Sequence, residues 1–297
     1  MRITFNSQYR DSSAAIAQAS ENLIELQRQV ATSKRVGKPS DDPTAAADAL
    51  NERSELAGVE QYARAADSAT SRLTIIDSVL SDVVEKLTAA TSATMSARGS
   101  TKTAAQREAV AKQLESIRAD MLDDFNTQFH GAYVFSGATS TTKPFVEGVG
   151  GAINAYAGSG TEVEADIGSQ DIPISFDGQT IAKGSDSDHV FDALDDLIAA
   201  VRAGDDTGMG AGMDALDRAF SRTTTAQSRV GVAIQSLEGE QARLQEKKLA
   251  ATTRLSKLED ADMAEVIAGM TRADAAYKAA LGAAATAARV SLLDYLG

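Results

Sequence analysis

Residues 66–90 read ADSATSRLTIIDSVLSDVVEKLTAA, and this stretch decides the fold. Ala66, Ala69, Leu73, Ile76, Leu80, Val83, Leu87 and Ala90 recur alternately three and four residues apart. That spacing places all eight on one seam of a helix, with near-ideal coiled-coil periodicity. The same rhythm runs upstream through Ile16, Ala19, Leu23, Leu26 and Val30, and downstream through Val110, Leu114, Ile117, Met121, Phe125 and Phe129. From Gln8 to His130 the chain therefore reads as long helices, broken around Gly37 to Pro43 and at Gly99-Ser100.

The texture changes from Gly131 to Asp188. Glycine becomes frequent, and Val163, Ala165 and Ile167 alternate with acidic residues. Ile172, Ile174 and Phe176 alternate next and lead into Asp177-Gly178, which reads as a hairpin turn. A small β-rich insertion is expected here, leaning on the helices that flank it. Helical spacing returns in Val190, Leu194, Leu197, Ile198 and Val201, which stop at Gly204 to Asp206. A longer helix follows through Met213, Leu216, Phe220, Val230, Leu237, Leu244, Leu255 and Leu258. A terminal helix from Val266 to Leu296 carries Ile267, Met270, Tyr277, Leu281, Ala284 and Ala288, and ends in the apolar tip Ser291-Leu292-Leu293-Asp294-Tyr295-Leu296.

The predicted fold is mainly α. It is a long antiparallel helical rod or coiled coil formed by the N- and C-terminal segments, with a small β-rich domain inserted in the middle. The composition agrees with closely packed helices: 43% of residues are hydrophobic, 5% aromatic, none is Trp, and there are four prolines. Both terminal helices carry apolar stripes that need a partner, which is either the other end of the chain or a neighbouring molecule.

The net charge of −13 opposes binding to phosphate backbones, so no nucleic-acid partner is expected. With no cysteine there is no disulfide, thiolate metal site or cysteine nucleophile. No apolar run reaches the roughly 20 residues of a membrane span, so no membrane insertion is expected. The opening Met1-Arg2-Ile3-Thr4-Phe5-Asn6-Ser7 lacks the features of a cleavable secretory signal.

Catalytic inventory is thin. His130 and His189 lie far apart, each beside an element boundary, and read as turn or packing residues. There is no Gly-x-Ser-x-Gly elbow, and the glycines at 148–151 and 208–212 do not fit a dinucleotide or phosphate loop. Asp123-Asp124, Asp195-Asp196 and Asp205-Asp206 point in different directions on a helix or belong to turns, and Asp186-Ser-Asp188 lacks the rest of a calcium loop. No enzyme activity, metal or cofactor is expected.

Residues 32–46, TSKRVGKPSDDPTAA, read locally as a helix–loop–helix corner. Gly37 is expected to end the first helix, with Lys34 and Arg35 in its last turn against the dipole. Asp42 is expected to cap the next, with Pro43 at its first position. Three motifs in order, Gly37-Pro39-Ser40-Asp41-Asp42-Pro43, then Tyr133-Phe135-Gly137 with Pro144-Phe145, then the Leu292-Leu293-Tyr295-Leu296 tail, resemble the flagellin superfamily over essentially the whole chain. The prolines at 39 and 43 and the Thr142–Phe145 segment are closer to the branch that joins hook to filament than to flagellin itself.

The resemblance implies a structural subunit of the bacterial flagellum, extracellular, exported through the type III apparatus with the help of a cytoplasmic chaperone. It implies assembly into a ring with copies of itself, between a hook-side junction protein and flagellin. It divides the chain into terminal helices 1–36 and 262–297 as an inner layer, a helical rod of 37–134 and 188–261, and an outer domain of 135–187. The N-terminal assembly seam would be Ile16, Leu23, Leu26 and Val30. The C-terminal assembly and chaperone segment would be Ile267, Met270, Tyr277, Leu281, Leu292, Leu293, Tyr295 and Leu296. A filament subunit, or a soluble coiled-coil adaptor whose termini pair within one molecule, are the alternatives.

Overall fold

The computed structural model describes residues 5–296 except 100, 149, 150 and 169; side chains at 5–9 and 287–296 lie outside the description. Helices α1 (Phe5–Thr32), α2 (Pro43–Ala97) and α3 (Ala104–Phe125) precede the short strands β1 (Gln128–Phe129), β2 (Ala132–Tyr133), β3 (Glu164–Asp166) and β4 (Asp171–Pro173). Helices α4 (Gly178–Ala182), α5 (Val190–Ala203), α6 (Asp206–Glu259) and α7 (Met263–Leu296) follow. None of the described helices is long and apolar enough to cross a membrane. The chain forms two compact units, a central one of Glu60–Glu246 and one made from its two ends, up to Val59 and from Lys247.

The central unit is built on four helical segments, from α2, α3, α5 and α6. Gln227 donates to Ser81 Oγ at 2.8 Å and Gln241 to Asp67 Oδ1 at 2.9 Å, so α6 runs antiparallel to α2. Lys86 pairs with Asp124 of α3 at 2.5 Å. Along α5, Arg202 meets Glu108 and Glu115, while Asp195 meets Arg118, which makes α3 and α5 antiparallel. The seam from Ala66 to Ala90 is buried at every position, as are Leu114, Ile117, Met121 and Phe125. Each fully buried Leu or Ile removes enough apolar surface from water to contribute about 1.5–3 kcal/mol. Thr94 and Thr223 are buried too, but each hydroxyl bonds a carbonyl of its own helix at 2.8 Å, so neither is left unpaired.

Helix ends follow the local chemistry. Thr103 and Gln106 form a reciprocal capping box at the start of α3. Gly204 takes a left-handed conformation (φ 72°) and ends α5.

The insertion departs from its expected character. Among the described residues it holds two two-stranded antiparallel sheets, with strands of two or three residues, and is otherwise irregular. Its core is a ring cluster: Phe125 stands 5.6, 5.5 and 5.7 Å from Phe135, Phe145 and Phe191, all fully buried. The Asn126 side chain, at the C-terminus of α3, donates to the Phe145 carbonyl at 3.0 Å and accepts its N–H at 3.1 Å. Asp177-Gly178 is not a hairpin turn: Asp177 caps α4, accepting from the Gln179 and Thr180 amides. The tight hairpin instead turns at His130-Gly131, both at positive φ (50° and 80°), as a type I′ turn requires. An Asp side chain that can accept two consecutive amides favours a helix start over a turn, which is why the pair misled.

In the unit made from the chain ends, α1 and α7 pack together as an antiparallel pair. Leu26 approaches Gly269, where an added Cβ would meet it at ordinary contact distance, 3.5 Å.

Candidate functional site

The α1–α2 corner and the α6–α7 break lie side by side. α1 stops at Thr32, not at Gly37, because Ser33 adopts a left-handed conformation (φ 57°). Lys34 and Arg35 therefore sit beyond the helix rather than in its last turn. Lys34 pairs with Asp260 in an isolated antiparallel bridge. The Arg35 amide donates to the Glu259 carbonyl at 2.7 Å, and the Ala261 amide donates to the Ser33 carbonyl at 3.1 Å. The Arg35 guanidinium also donates to the Leu258 carbonyl at 3.0 Å.

Glu259, the last residue of α6, has a side chain only 2% exposed and binds both Lys34 and Arg53, the latter at 2.6 Å. Burial works to raise its pKa, but the hydrogen bonds from Lys34 and Arg53 outweigh that and hold it below the ordinary glutamate value. Asp262 then opens α7, accepting the Ala264 amide at 2.9 Å.

The corner is also tied internally. Asp41 accepts the Lys38 and Gly37 amides at 2.8 and 3.0 Å and the Arg28 guanidinium at 2.9 Å. The Lys38 amide foremost, with Gly37 and Arg28 adding to it, holds the Asp41 pKa down. At Gly37 the Arg28 guanidinium fills the space beside the α-carbon, so a larger residue there would displace that flexible side chain from Asp41. Asp42 accepts the Ala45 amide at 3.1 Å at the start of α2, with Pro43 as the first helical residue, and the Ala45 amide foremost lowers its pKa.

The residues singled out in the sequence divide into three groups. Ile16, Leu23, Leu26 and Val30 are half-buried on α1. On α7, Met270 and Tyr277 are half-buried, Ile267 and Leu281 are exposed, and the side chains of Leu292, Leu293, Tyr295 and Leu296 lie outside the described residues. Of the motif residues, Gly37, Pro39, Ser40, Asp41 and Pro43 are exposed and Asp42 is half-buried. Tyr133 is half-buried, whereas Phe135, Gly137, Pro144 and Phe145 are buried, Phe135 and Phe145 within the ring cluster. At Gly137 (φ 61°) a Cβ would stand 2.7 Å from the Thr161 carbonyl oxygen, so this glycine is structural.

Glu259, Arg53 and Asp262 were not among the candidates read from sequence. The spacing Asp262-Met-Ala-Glu265 matches a capping-box pattern and could have marked the second break. A cavity of about 510 Å³ between α5 and α6 is lined by Asp186, His189, Ala200, Gly212 and Arg222. Asp186 already binds both nearby cations, Arg218 and Arg222, and burial lowers the pKa of His189. The one hydroxyl in its lining, Ser187, donates to the neighbouring Asp188 carboxylate rather than to a histidine base.

The chain matches the bacterial flagellin N-terminal helical region over residues 3–140 and the bacterial flagellin C-terminal helical region over residues 213–296, together well over half its length. It belongs to the bacterial flagellin family. Across nearly its whole length it is similar to flagellar hook-associated protein 3 of Salmonella typhimurium, at 27% identity over 94% of both chains. It is likewise 26% identical to flagellar hook-associated protein 3 of Escherichia coli K12, over 94% of this chain and 96% of that one. Two solved structures share the fold. A putative flagellar hook-associated protein from Vibrio parahaemolyticus superposes with a TM-score of 0.70 at 21% identity, covering 74% of this chain and all of that one. The flagellar junction protein from Legionella pneumophila gives 0.59 at 13% identity, covering 72% of this chain and all of that one.

Proposed function

We propose that this chain is a structural subunit of the bacterial flagellum, placed in the ring where hook meets filament. The observation that carries the reading is similarity to hook-associated protein 3 of two organisms over 94% of the chain, alongside the flagellin models at 3–140 and 213–296, which span the corner and the tail. As a member of a family of structural subunits, the chain is not an enzyme. Its partners on this reading are copies of itself, a hook-side junction protein, flagellin, and a cytoplasmic export chaperone that holds the C-terminal segment. Export runs through the flagellar type III apparatus to the cell exterior.

The terminal helices, 1–36 and 262–297, form the inner layer of the ring on this reading, and 37–134 with 188–261 form an antiparallel coiled-coil rod. Residues 135–187 make the outer domain. The half-buried seam of Ile16, Leu23, Leu26 and Val30, with Ile24 and Ile267 left exposed beside it, supports the assignment. Apolar side chains that one molecule covers only partly are suited to completion by neighbours.

Gold-conjugated antibody on purified flagella tests the placement. A narrow band between hook and filament is expected; label along the filament would make the chain a flagellin, and an unlabelled flagellum would overturn the reading. Leu23→Asp should leave the central unit folded and block incorporation. Removal of the chain from Ser291 onward should abolish chaperone binding, measured by pull-down with the purified chaperone.

A further inference from the structure

We propose that the two helix breaks act as one clasp, closed by Glu259, which fixes the register between the first and last helices of the chain. The first observation is coincidence. α6 ends at Glu259 although Lys257–Glu265 contains neither glycine nor proline, and α1 ends on a serine in a left-handed conformation that serine rarely adopts. The cap at Asp262 accounts for where α7 starts but not for the bonds that join the two interruptions, which fall opposite each other and share their hydrogen bonds.

The second observation is the chemistry of Glu259. A carboxylate this buried is strongly disfavoured unless paired, and its two cations come from different segments, Lys34 from the corner and Arg53 from α2. One side chain thus ties the end of α6 to both sides of the α1–α2 corner. The third is geometry. The Arg35-to-Glu259 and Ala261-to-Ser33 bonds flank Lys34 and Asp260, making them a narrow, non-hydrogen-bonded pair. A slip of one residue would break both bonds and turn the Glu259 side chain to the opposite face. The clasp therefore allows a single register, and α1 and α7 leave it as a matched pair.

The chain has no cysteine, so Lys34→Cys with Asp260→Cys introduces the only two thiols. Narrow antiparallel pairs stand about 4.5 Å apart at Cα, within disulfide range. Mild oxidation of the purified full-length double variant should give a faster-migrating species with its free thiols lost, whereas Lys38→Cys with Asp260→Cys should stay reduced. Absence of the 34–260 disulfide would overturn the clasp. A second arm rests on the flagellar reading and uses swimming in soft agar. Glu259→Lys alone, and Lys34→Glu with Arg53→Glu, should each abolish swimming, and all three substitutions together should restore it. Failure of the triple variant to restore swimming, with protein levels at wild type, would also overturn the clasp. If deletion of the whole gene leaves swimming intact, the flagellar reading falls, and the disulfide alone decides the clasp.

Discussion

The two units of this molecule bury very different things. The central unit closes over Leu73, Ile76, Leu80, Leu87, Leu114 and five phenylalanines, all essentially without exposure. Among the described residues of the terminal unit no Leu, Ile, Met or Phe side chain is buried; its core is Val36, Ala45, Ala49, Val59, Ala251 and Val266. Periodicity alone would not have separated them, because the seam of α1 has the same three–four spacing as that of α2. The difference teaches that an apolar stripe records a need for a partner and not its supply. In the central unit four antiparallel helical segments meet that need within one chain. In the terminal unit the ends of α2 and α6 supply Ala45, Ala49, Val59 and Ala251 to a small core, and the seams of α1 and α7 stay only partly covered.

The largest way to break this comparison is Phe145→Ala. It should remove about 3–5 kcal/mol from unfolding in urea, while Leu23→Ala in α1 should barely move that transition. Equal shifts would mean that the α1 seam is as much a part of the folded core as the ring cluster. Gly137→Ala should cost about 1–3 kcal/mol through backbone strain and collision with the Thr161 carbonyl, read from the same transition. Thr103→Ala, which removes the capping box of α3, should cost about 0.5–2 kcal/mol and raise amide exchange over the first turn of α3 alone.

Acid provides the smallest and sharpest test. Asp41, Asp42 and Glu259 have folded pKa values below their unfolded ones. The stability they add is present above the ordinary carboxylate range and is lost as pH falls through the depressed values. Asp124 and Asp195 are shifted upward, by burial first, with Lys86 and Arg118 offsetting part of it. They take up protons in the folded state before the unfolded one, so their contribution grows on the same descent. Exchange measured by mass spectrometry and corrected for intrinsic rates should therefore accelerate at 33–45 on acidification but not around Asp124 or Asp195.

The helical skeleton was legible because seam spacing survives in sequence whatever the helix packs against. The start of α2 was legible because Asp42-Pro43 satisfies the helix terminus with adjacent residues. Three things were not. Ser33 carries no mark of a left-handed residue, and its conformation depends on bonds to Ala261, which is remote in sequence. Glu259 looks like any acidic residue of a polar helix until Lys34 and Arg53 are placed beside it. The insertion was read as β-rich because Val163 to Ile167 and Ile172 to Phe176 alternate, and the two stretches do pair, but only over Glu164–Asp166 and Asp171–Pro173. The motif residues showed the opposite limit: Phe135, Gly137 and Phe145 could be matched to a family before anything revealed that they build a core.

The phenylalanine cluster also has a consequence for the order in which the chain can fold. Phe125, Phe135, Phe145 and Phe191 lie close in sequence compared with the ends of the chain, so each loop that must close to bring them together is modest, and closure entropy grows with loop length. The terminal unit must join residues before Val59 to residues after Lys247, contacts of the greatest separation the chain offers, which form slowly on topological grounds. Collapse around the cluster can begin once Phe191 is available, whereas the paired breaks must wait for both ends.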